Sequence, residues 1–211
     1  MKPRLDHVAI GAGTLAQGVA WLKDTLGVDI PPGGHHAAMS THNHLMATGG
    51  GTYLEVLAID PDAPPPGRNR WFGLDDPAIA DGLTARPRPH AWIVNTDDLD
   101  AVIAASPVDL GRAIRLERGN LRWRMAVRDD GALPAGGALP LFIEWPPGVH
   151  PAAAMADLGC RLDRVMITDP DPQRLRAWMQ DLGLDTLADL SAGPRALRFA
   201  MTCPTGPVIL A

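Results

Sequence analysis

Four residues have the types and placement for metal chemistry: His7, Glu55, His90 and Glu144. His7 sits in the apolar run Leu5–Ile10, and Glu55 in the run Thr52–Ile59. His90 opens His90-Ala91-Trp92-Ile93-Val94, and Glu144 lies in Pro140–Trp145. Two imidazole nitrogens and two carboxylate oxygens form a donor set that suits a divalent first-row metal. Imidazole favours Zn, Ni, Co or Fe, and carboxylate also accepts Mn. Taken singly, each residue has a plainer reading. A glutamate on an apolar strand usually faces water on a one-sided antiparallel sheet, and a strand histidine is usually a hydrogen-bonded structural residue. The argument for chemistry is that each pair occupies the first and last strand of a repeated unit.

The repeat is visible in the chain. Leu5-Asp6-His7-Val8-Ala9-Ile10 returns as Leu162-Asp163-Arg164-Val165-Met166-Ile167, and Ala20-Trp21 returns as Ala177-Trp178. A weaker copy begins at His90. Each copy reads as a strand followed by a helix. In the first, Thr14 with Gln17 three residues on forms a capping pattern. Leu15, Val19, Leu22 and Leu26 make one apolar stripe, and Gly27 is a natural stop. In the second, a shorter helix runs from Asp98 to Ala105. In the third, Asp171 and Pro172 begin a helix striped by Leu175, Trp178, Met179 and Leu182. Strands follow: Thr41–Thr48 and Thr52–Ile59 around Gly49-Gly50-Gly51, then Ala113–Glu117 and Leu121–Arg128 around Arg118-Gly119-Asn120. Pro140–Trp145, Ala196–Thr202 and Val208–Leu210 complete the set. The expected fold class is α+β: repeated βαβββ modules forming paired curved mixed sheets, helices outside, plus a third partial module. The modules span residues 1–60, 89–148 and 160–211, with a linker or lid loop at 61–88, all in one compact domain. Strand alternation puts Leu5, His7 and Ala9 on one face and Val8 and Ile10 on the other. If helices cover the Val8 face, two facing sheets bring both His/Glu pairs together.

Other residues invite weighing. His35, His36, His42 and His44 are dense, and the pair at 42 and 44 shares a strand face that a metal could use. For His36 and His44 a solvated segment is the favoured reading. Arg122, Arg124 and Arg128 alternate with Trp123, Met125 and Val127, with the apolar set expected toward the helices. The arginine face then meets solvent, or a pocket that takes a carboxylate. Arg70-Trp71-Phe72-Gly73-Leu74 supplies two aromatics for a lid wall or for a plug on the sheet edge. His150 is either a plain loop residue or a group at the pocket mouth. Cys160 and Cys203 form no CxxC motif; they are read as buried small hydrophobes in a reduced, cytoplasmic setting, without a disulfide framework. The chain has 22 glycines and 21 prolines, too many for a helical bundle, and a net charge of −5 argues against binding nucleic acid through bulk charge. No apolar run is long enough to span a membrane.

The stretches Leu5–Ile10, Gly33-Gly34-His35, Ser40-Thr41-His42-Asn43, Tyr53–Ile59, Arg70–Leu74 and Leu141–Pro151 resemble glyoxalase-like domain proteins of the vicinal oxygen chelate superfamily. The resemblance implies metal ligands at His7, Glu55, His90 and Glu144, and substrate-orienting roles for His35, Thr41 and Asn43. The third module departs from the pattern, with Arg164 in place of the histidine and no glutamate in its last strand. It is expected to pack or to form a homodimer contact.

The resulting expectation is a divalent-metal isomerase or lyase acting on a small vicinal-oxygen substrate through an enediolate. Glu144 is the first choice of base and Glu55 the second. Trp92, Arg122, Arg124 and Trp71 join the substrate-binding set. The alternative is a metal-free protein that sequesters a small molecule in an aromatic pocket.

Overall fold

A computed structural model describes residues 3–211. The first unit runs β1 (Arg4–Gly11), α1 (Leu15–Leu26), β2 (Pro32–His36), β3 (Thr41–Gly49) and β4 (Thr52–Ile59). A connecting helix, α2 (Pro77–Ala85), leads to β5 (Arg88–Asn95), α3 (Leu99–Ala105), β6 (Arg112–Arg118), β7 (Leu121–Val127) and β8 (Leu141–Glu144). The third unit is β9 (Arg161–Asp169), α4 (Pro172–Asp181), β10 (Asp189–Ala192), β11 (Ala196–Cys203) and β12 (Gly206–Leu210).

The helix signals act as the sequence implies. Thr14 Oγ1 accepts from Gln17 N at 3.2 Å, and Gly27 closes α1 in the left-handed conformation at φ 72°. Asp98 caps α3 and Asp171 caps α4 through backbone N–H groups three residues on. Three elements exceed the sequence reading. β2 occupies the glycine-rich stretch before His36, where pairing with β3 outweighs the low strand propensity of glycine. α2 lies inside the expected linker, started by Asp76 as cap and Pro77 in the first turn. β10 gives the third unit three strands after its helix rather than two.

Units one and two join edge to edge. β1 pairs with β5 antiparallel, which makes one eight-stranded sheet in the order β2-β3-β4-β1-β5-β8-β7-β6. The sheet curls until its outer strands approach, so a Cβ at Gly34 on β2 would meet Arg118 Cδ on β6 at 3.0 Å. Its concave interior is packed by Ala9, Leu57, Ala91, Ile93, Trp123, Met125, Leu141 and Ile143. The convex side is a second core. There Val8, Ile10, Val56, Trp92, Val94 and Phe142 meet Leu22 and Leu26 of α1 and Leu99 and Val102 of α3. Trp123 and Met125 therefore face the concave interior, opposite to the expected helix side.

The third unit forms a separate four-stranded sheet, β10-β9-β11-β12. Its Val165, Ile167, Leu175, Met179, Phe199 and Met201 belong to the convex-side core. Ala47 N donates to Ala156 O at 3.1 Å, and Thr205 Oγ1 donates to Leu26 O at 3.3 Å. The unit thus buries its apolar face on the body of its own chain. Cys160 and Cys203 are joined in a disulfide, which overturns the reading of both as free thiols. The pairing follows from register: Arg161 lies opposite Thr202, so the next residues outward, Cys160 and Cys203, also meet across the strands. Among the described residues, no helix is long and apolar enough to cross a membrane.

Candidate functional site

The β1–β5 ladder is symmetric about the pair Val8↔Trp92. On either side, His7↔Ile93 exchanges with Ala9↔Ala91, and Leu5↔Val94 with Ile10↔Pro89. The counterpart of His7 is therefore Ala91, not His90. Asp6 and His90 are the mutually equivalent residues left over at the two register shifts. The same symmetry runs into the neighbouring strands. Ala9 lies beside Glu55, and its counterpart Ile93 lies beside Leu141, so Leu141 stands where Glu55 stands in the first unit. An odd displacement along a strand turns a side chain to the opposite face. That displacement puts Glu144 on the other face, while the register shift leaves His90 beside Phe72 of the concave-side core, away from the position its type appeared to fill.

Their contacts agree. His90 Nε2 bonds the Phe72 carbonyl at 2.7 Å, and burial lowers its pKa to about 4, against a smaller raising effect of that carbonyl. The Glu144 carboxylate lies on the helix side. It accepts from Leu99 N at 3.2 Å, at the start of α3, and from Arg124 Nη1 at 2.8 Å. The four-ligand set His7, Glu55, His90 and Glu144 does not assemble, and Glu144 is not at the concave site as a base. Trp92 is 0% exposed in the convex-side core, so it cannot touch a ligand in the interior. Arg124 is held by Glu144 and Asp100, and Arg122 by Glu117. Both border an outer groove, not the interior. His35 turns away from the interior, with its side chain 73% exposed and paired to Asp60.

What the fold does bring together is a buried polar chain. Asp6 Oδ1 accepts from His7 Nδ1 at 2.6 Å, and His7 Nε2 faces Glu55 Oε2 at 3.5 Å. Asp6 Oδ2 also accepts from Trp145 Nε1 at 2.9 Å and meets His150 Nε2 at 3.0 Å. Asn43 Nδ2 donates to Glu55 Oε1 at 2.6 Å, while its Oδ1 accepts from Gly34 N at 2.9 Å. Thr41 Oγ1 lies 3.1 Å from His36 Nδ1. Tyr53 stacks on His7 with ring centroids 4.2 Å apart. Asp6, His36 and His150 were not singled out as site residues from the sequence. The bulge that turns Asp6 inward leaves no local signal, and His36 reads as a solvated loop residue until β2 is recognised.

The electrostatics follow from burial against pairing. Burial pushes the Glu55 carboxyl up, but His7 and Asn43 outweigh it and bring it down to about 2. Asp6 is likewise held below the usual carboxylate range by His150 and His7 despite its burial. Burial opposes protonation of His7, but Asp6 and Glu55 together raise its pKa. For His36, burial outweighs the raising effect of Glu55 and takes its pKa down to about 4.

His7, Glu55, His36, Tyr53 and Arg118 line a cavity of about 20 Å³, walled by Trp71, Phe72, Trp123, Met125, Ile143 and Trp145. That holds one small group. Trp123 and Trp145, ring centroids 5.3 Å apart, also line an outer groove of about 940 Å³. The indole pair thus stands between the polar chain and the groove.

Two ligands on one tetrahedral ion at ~2.1 Å lie roughly 3.4 Å apart, close to the 3.5 Å between His7 Nε2 and Glu55 Oε2. A carboxylate on the far ring nitrogen, supplied here by Asp6, is the usual orienting partner of a metal-bound histidine. His7 and Glu55 fit such an ion as a two-residue half-site; the second half offers only Ala91 and Leu141.

No curated protein matches the chain. Among solved structures, a hypothetical protein from Staphylococcus aureus shares the fold at 14% identity and TM-score 0.62, over 99% of this chain and 84% of that one. The methylmalonyl-CoA epimerase from Mycobacterium tuberculosis aligns at 24% identity and TM-score 0.43, over 68% of this chain and 88% of that one. The glyoxalase-like domain family matches residues 5–183, which takes in both halves of the curled sheet and the start of the third unit. The chain belongs to the glyoxalase-like domain family.

Proposed function

We propose that the protein is an isomerase or lyase that moves a proton at the carbon next to a carbonyl, in a small substrate carrying two neighbouring oxygens. The observation that carries this reading is the chain Asp6–His7–Glu55, buried at the end of an aromatic-walled cavity. Asn43 fixes one oxygen of Glu55 and leaves the other beside His7 Nε2. That free oxygen takes the substrate proton and returns it to the neighbouring atom. Asp6 orients His7 so that Nε2 faces the developing enediolate. Trp123 and Trp145 exclude water and must part to admit the substrate from the groove.

His7 and Glu55 are the residues that would hold a divalent metal (Zn, Ni, Co, Fe or Mn). When bound, the metal would supply Lewis-acid stabilisation to two substrate oxygens, since two protein ligands leave positions open for them.

The test is deuterium uptake from D₂O into small hydroxy-carbonyl and hemithioacetal compounds, followed by NMR with and without each metal. Uptake that disappears in Glu55→Gln supports the proposal. No uptake from any compound, with the same compounds bound, favours the second reading. That reading is sequestration, and the observation behind it is the apolar and aromatic lining by Trp71, Phe72, Trp123, Met125, Ile143 and Trp145.

A further inference from the structure

The β2–β3 hairpin has two faces with different chemistry. Its inner face carries His36, Thr41 and Asn43 toward the polar chain. On its outer face His35 and His42 are direct cross-strand partners, with ring centroids 5.9 Å apart. Cross-strand partners on one face hold their Cβ atoms close enough for two imidazoles to reach one ion. Asp60 follows β4 and closes the group. Its carboxylate lies 2.6 Å from His35 Nδ1 and 4.0 Å from His42 Nδ1. One donor atom from each of the three residues lies within 4.8 Å of the other two.

Three features prepare this group for a cation. Asp60 is already fixed: its N–H donates to Ser40 O at 2.9 Å, and its Oδ1 accepts from Asp62 N at 3.1 Å. His42 is short of partners. Its Nε2 is buried without one among the described residues, and 4.0 Å from Nδ1 to Asp60 is beyond hydrogen-bond reach. His35 is exposed, so an ion can enter from solvent and keep a water.

We propose that His35, His42 and Asp60 form a second divalent-metal site, of zinc type, on the outer face of the β2–β3 hairpin, separate from His7 and Glu55. Two imidazoles, one carboxylate and a water complete a tetrahedral zinc shell. Ligands at ~2.0–2.2 Å lie roughly 3.3–3.5 Å apart, so His42 needs to draw in, while the His35–Asp60 pair, now at 2.6 Å, opens to admit the ion. Occupation pins β2 to β3 and to the end of β4. It thereby steadies His36, Thr41 and Asn43 on the opposite face.

The experiment is competitive zinc titration of tag-free protein against a chromophoric chelator, with Co²⁺ absorption as a report of tetrahedral geometry. The expected result is a zinc site kept in Glu55→Gln and weakened by about tenfold or more in His35→Ala and in Asp60→Asn. The Co²⁺ spectrum is lost in the same two variants. His35→Ala removes an exposed side chain, so loss of binding there cannot be assigned to unfolding. Zinc binding unchanged in His35→Ala, binding lost only with Glu55, or no binding by the wild type at millimolar zinc would each overturn the proposal.

Discussion

Replacing Asp6 by asparagine tests the buried chain directly. The Asp6 carboxylate has 0% exposure and serves three donors, at 2.6 Å from His7, 2.9 Å from Trp145 and 3.0 Å from His150. Asparagine has nearly the same shape, but one oxygen becomes an NH₂ group. Whichever way the amide turns, a donor faces a donor: His7 on one side, or the indole and His150 on the other. A hydrogen bond to a charged group contributes ~1.5–3 kcal/mol, and breaking a buried pair costs ~3–5 kcal/mol. We expect Asp6→Asn to lose about 4 kcal/mol at pH 7, a melting temperature lower by about 8–16 °C for a chain of this size.

The pH dependence gives an independent sign. The pKa of His7 is raised in the folded protein. Its contribution is therefore complete below the unfolded value near 6.5 and fades as pH rises through the folded value. Asp6→Asn removes most of that rise, so the alkaline fade disappears along with the stability. Urea unfolding between pH 6 and pH 9 and an NMR titration of the His7 ring measure both effects. A loss below about 1 kcal/mol, or an unchanged His7 titration, would refute the account of the chain. Asp62→Asn, on an exposed loop beyond the far end of β4, is the control.

Other expectations follow from the same contacts. His90 is buried with a pKa lowered to about 4, so it stabilises the fold above pH 6.5 and loses that contribution as pH falls toward 4; His90→Gln should flatten this acid-side decline, which amounts to at most about 3 kcal/mol, in unfolding curves across that range. Glu55→Gln should abolish deuterium exchange, whereas Glu144→Gln should keep it and cost only about 1 kcal/mol by loosening α3 and Arg124, which are partly open to solvent. The disulfide between Cys160 and Cys203 closes 43 residues; the chain-entropy relation puts its stabilisation at about 4 kcal/mol, so reduction should lower the unfolding free energy by that amount, and free thiols in unreduced protein would contradict the bond.

Much of the fold was legible because its signals are local. Thr14 and Gly27 bound α1, glycines mark the β3–β4 turn, and strand alternation sorts Val8 and Ile10 from His7. The third unit's attachment was less legible, because its strand and helix repeat the pattern while β9 pairs with β10 and β11, unlike β1 with β4 and β5. β10, with Asp189 and Ser191, has no strand-like composition and forms by pairing with β9. At the site, His7, Glu55, Thr41, Asn43 and Trp71 were legible from residue type, alternation and family resemblance. Asp6 was not, because alternation assigns it to the helix side and only the bulge brings it to His7. The disulfide was missed for a related reason: the two cysteines are far apart in sequence and meet through register.

His90 and Glu144 show why matching residue types across a repeat is weaker than matching register. Both lie in strands equivalent to those of His7 and Glu55, but each is displaced by an odd number of residues. Strand period two turns Glu144 to the opposite face, whereas His90, left over at a register shift, is carried along the strand to Phe72. The consequence reaches the chemistry. A site closed by four protein ligands would leave a substrate few positions on an ion, whereas His7 and Glu55 with Ala91 and Leu141 opposite leave most of them open. The apolar half also keeps the region opposite Glu55 dry, which strengthens the interaction of that carboxylate with whatever charge enters. On the proposed function, the asymmetry between the two halves would separate this cavity into a reacting side, built on β1 and β4, and a binding wall, built on β7 and β8. Restoring a histidine at the symmetric position tests that division: Ala91→His should tighten metal binding at Glu55 while narrowing the space for substrate. Metal titration and ligand binding on the same variant should therefore move in opposite directions. A variant that gains metal affinity with no loss of ligand binding would show that the apolar half is not where the substrate lies.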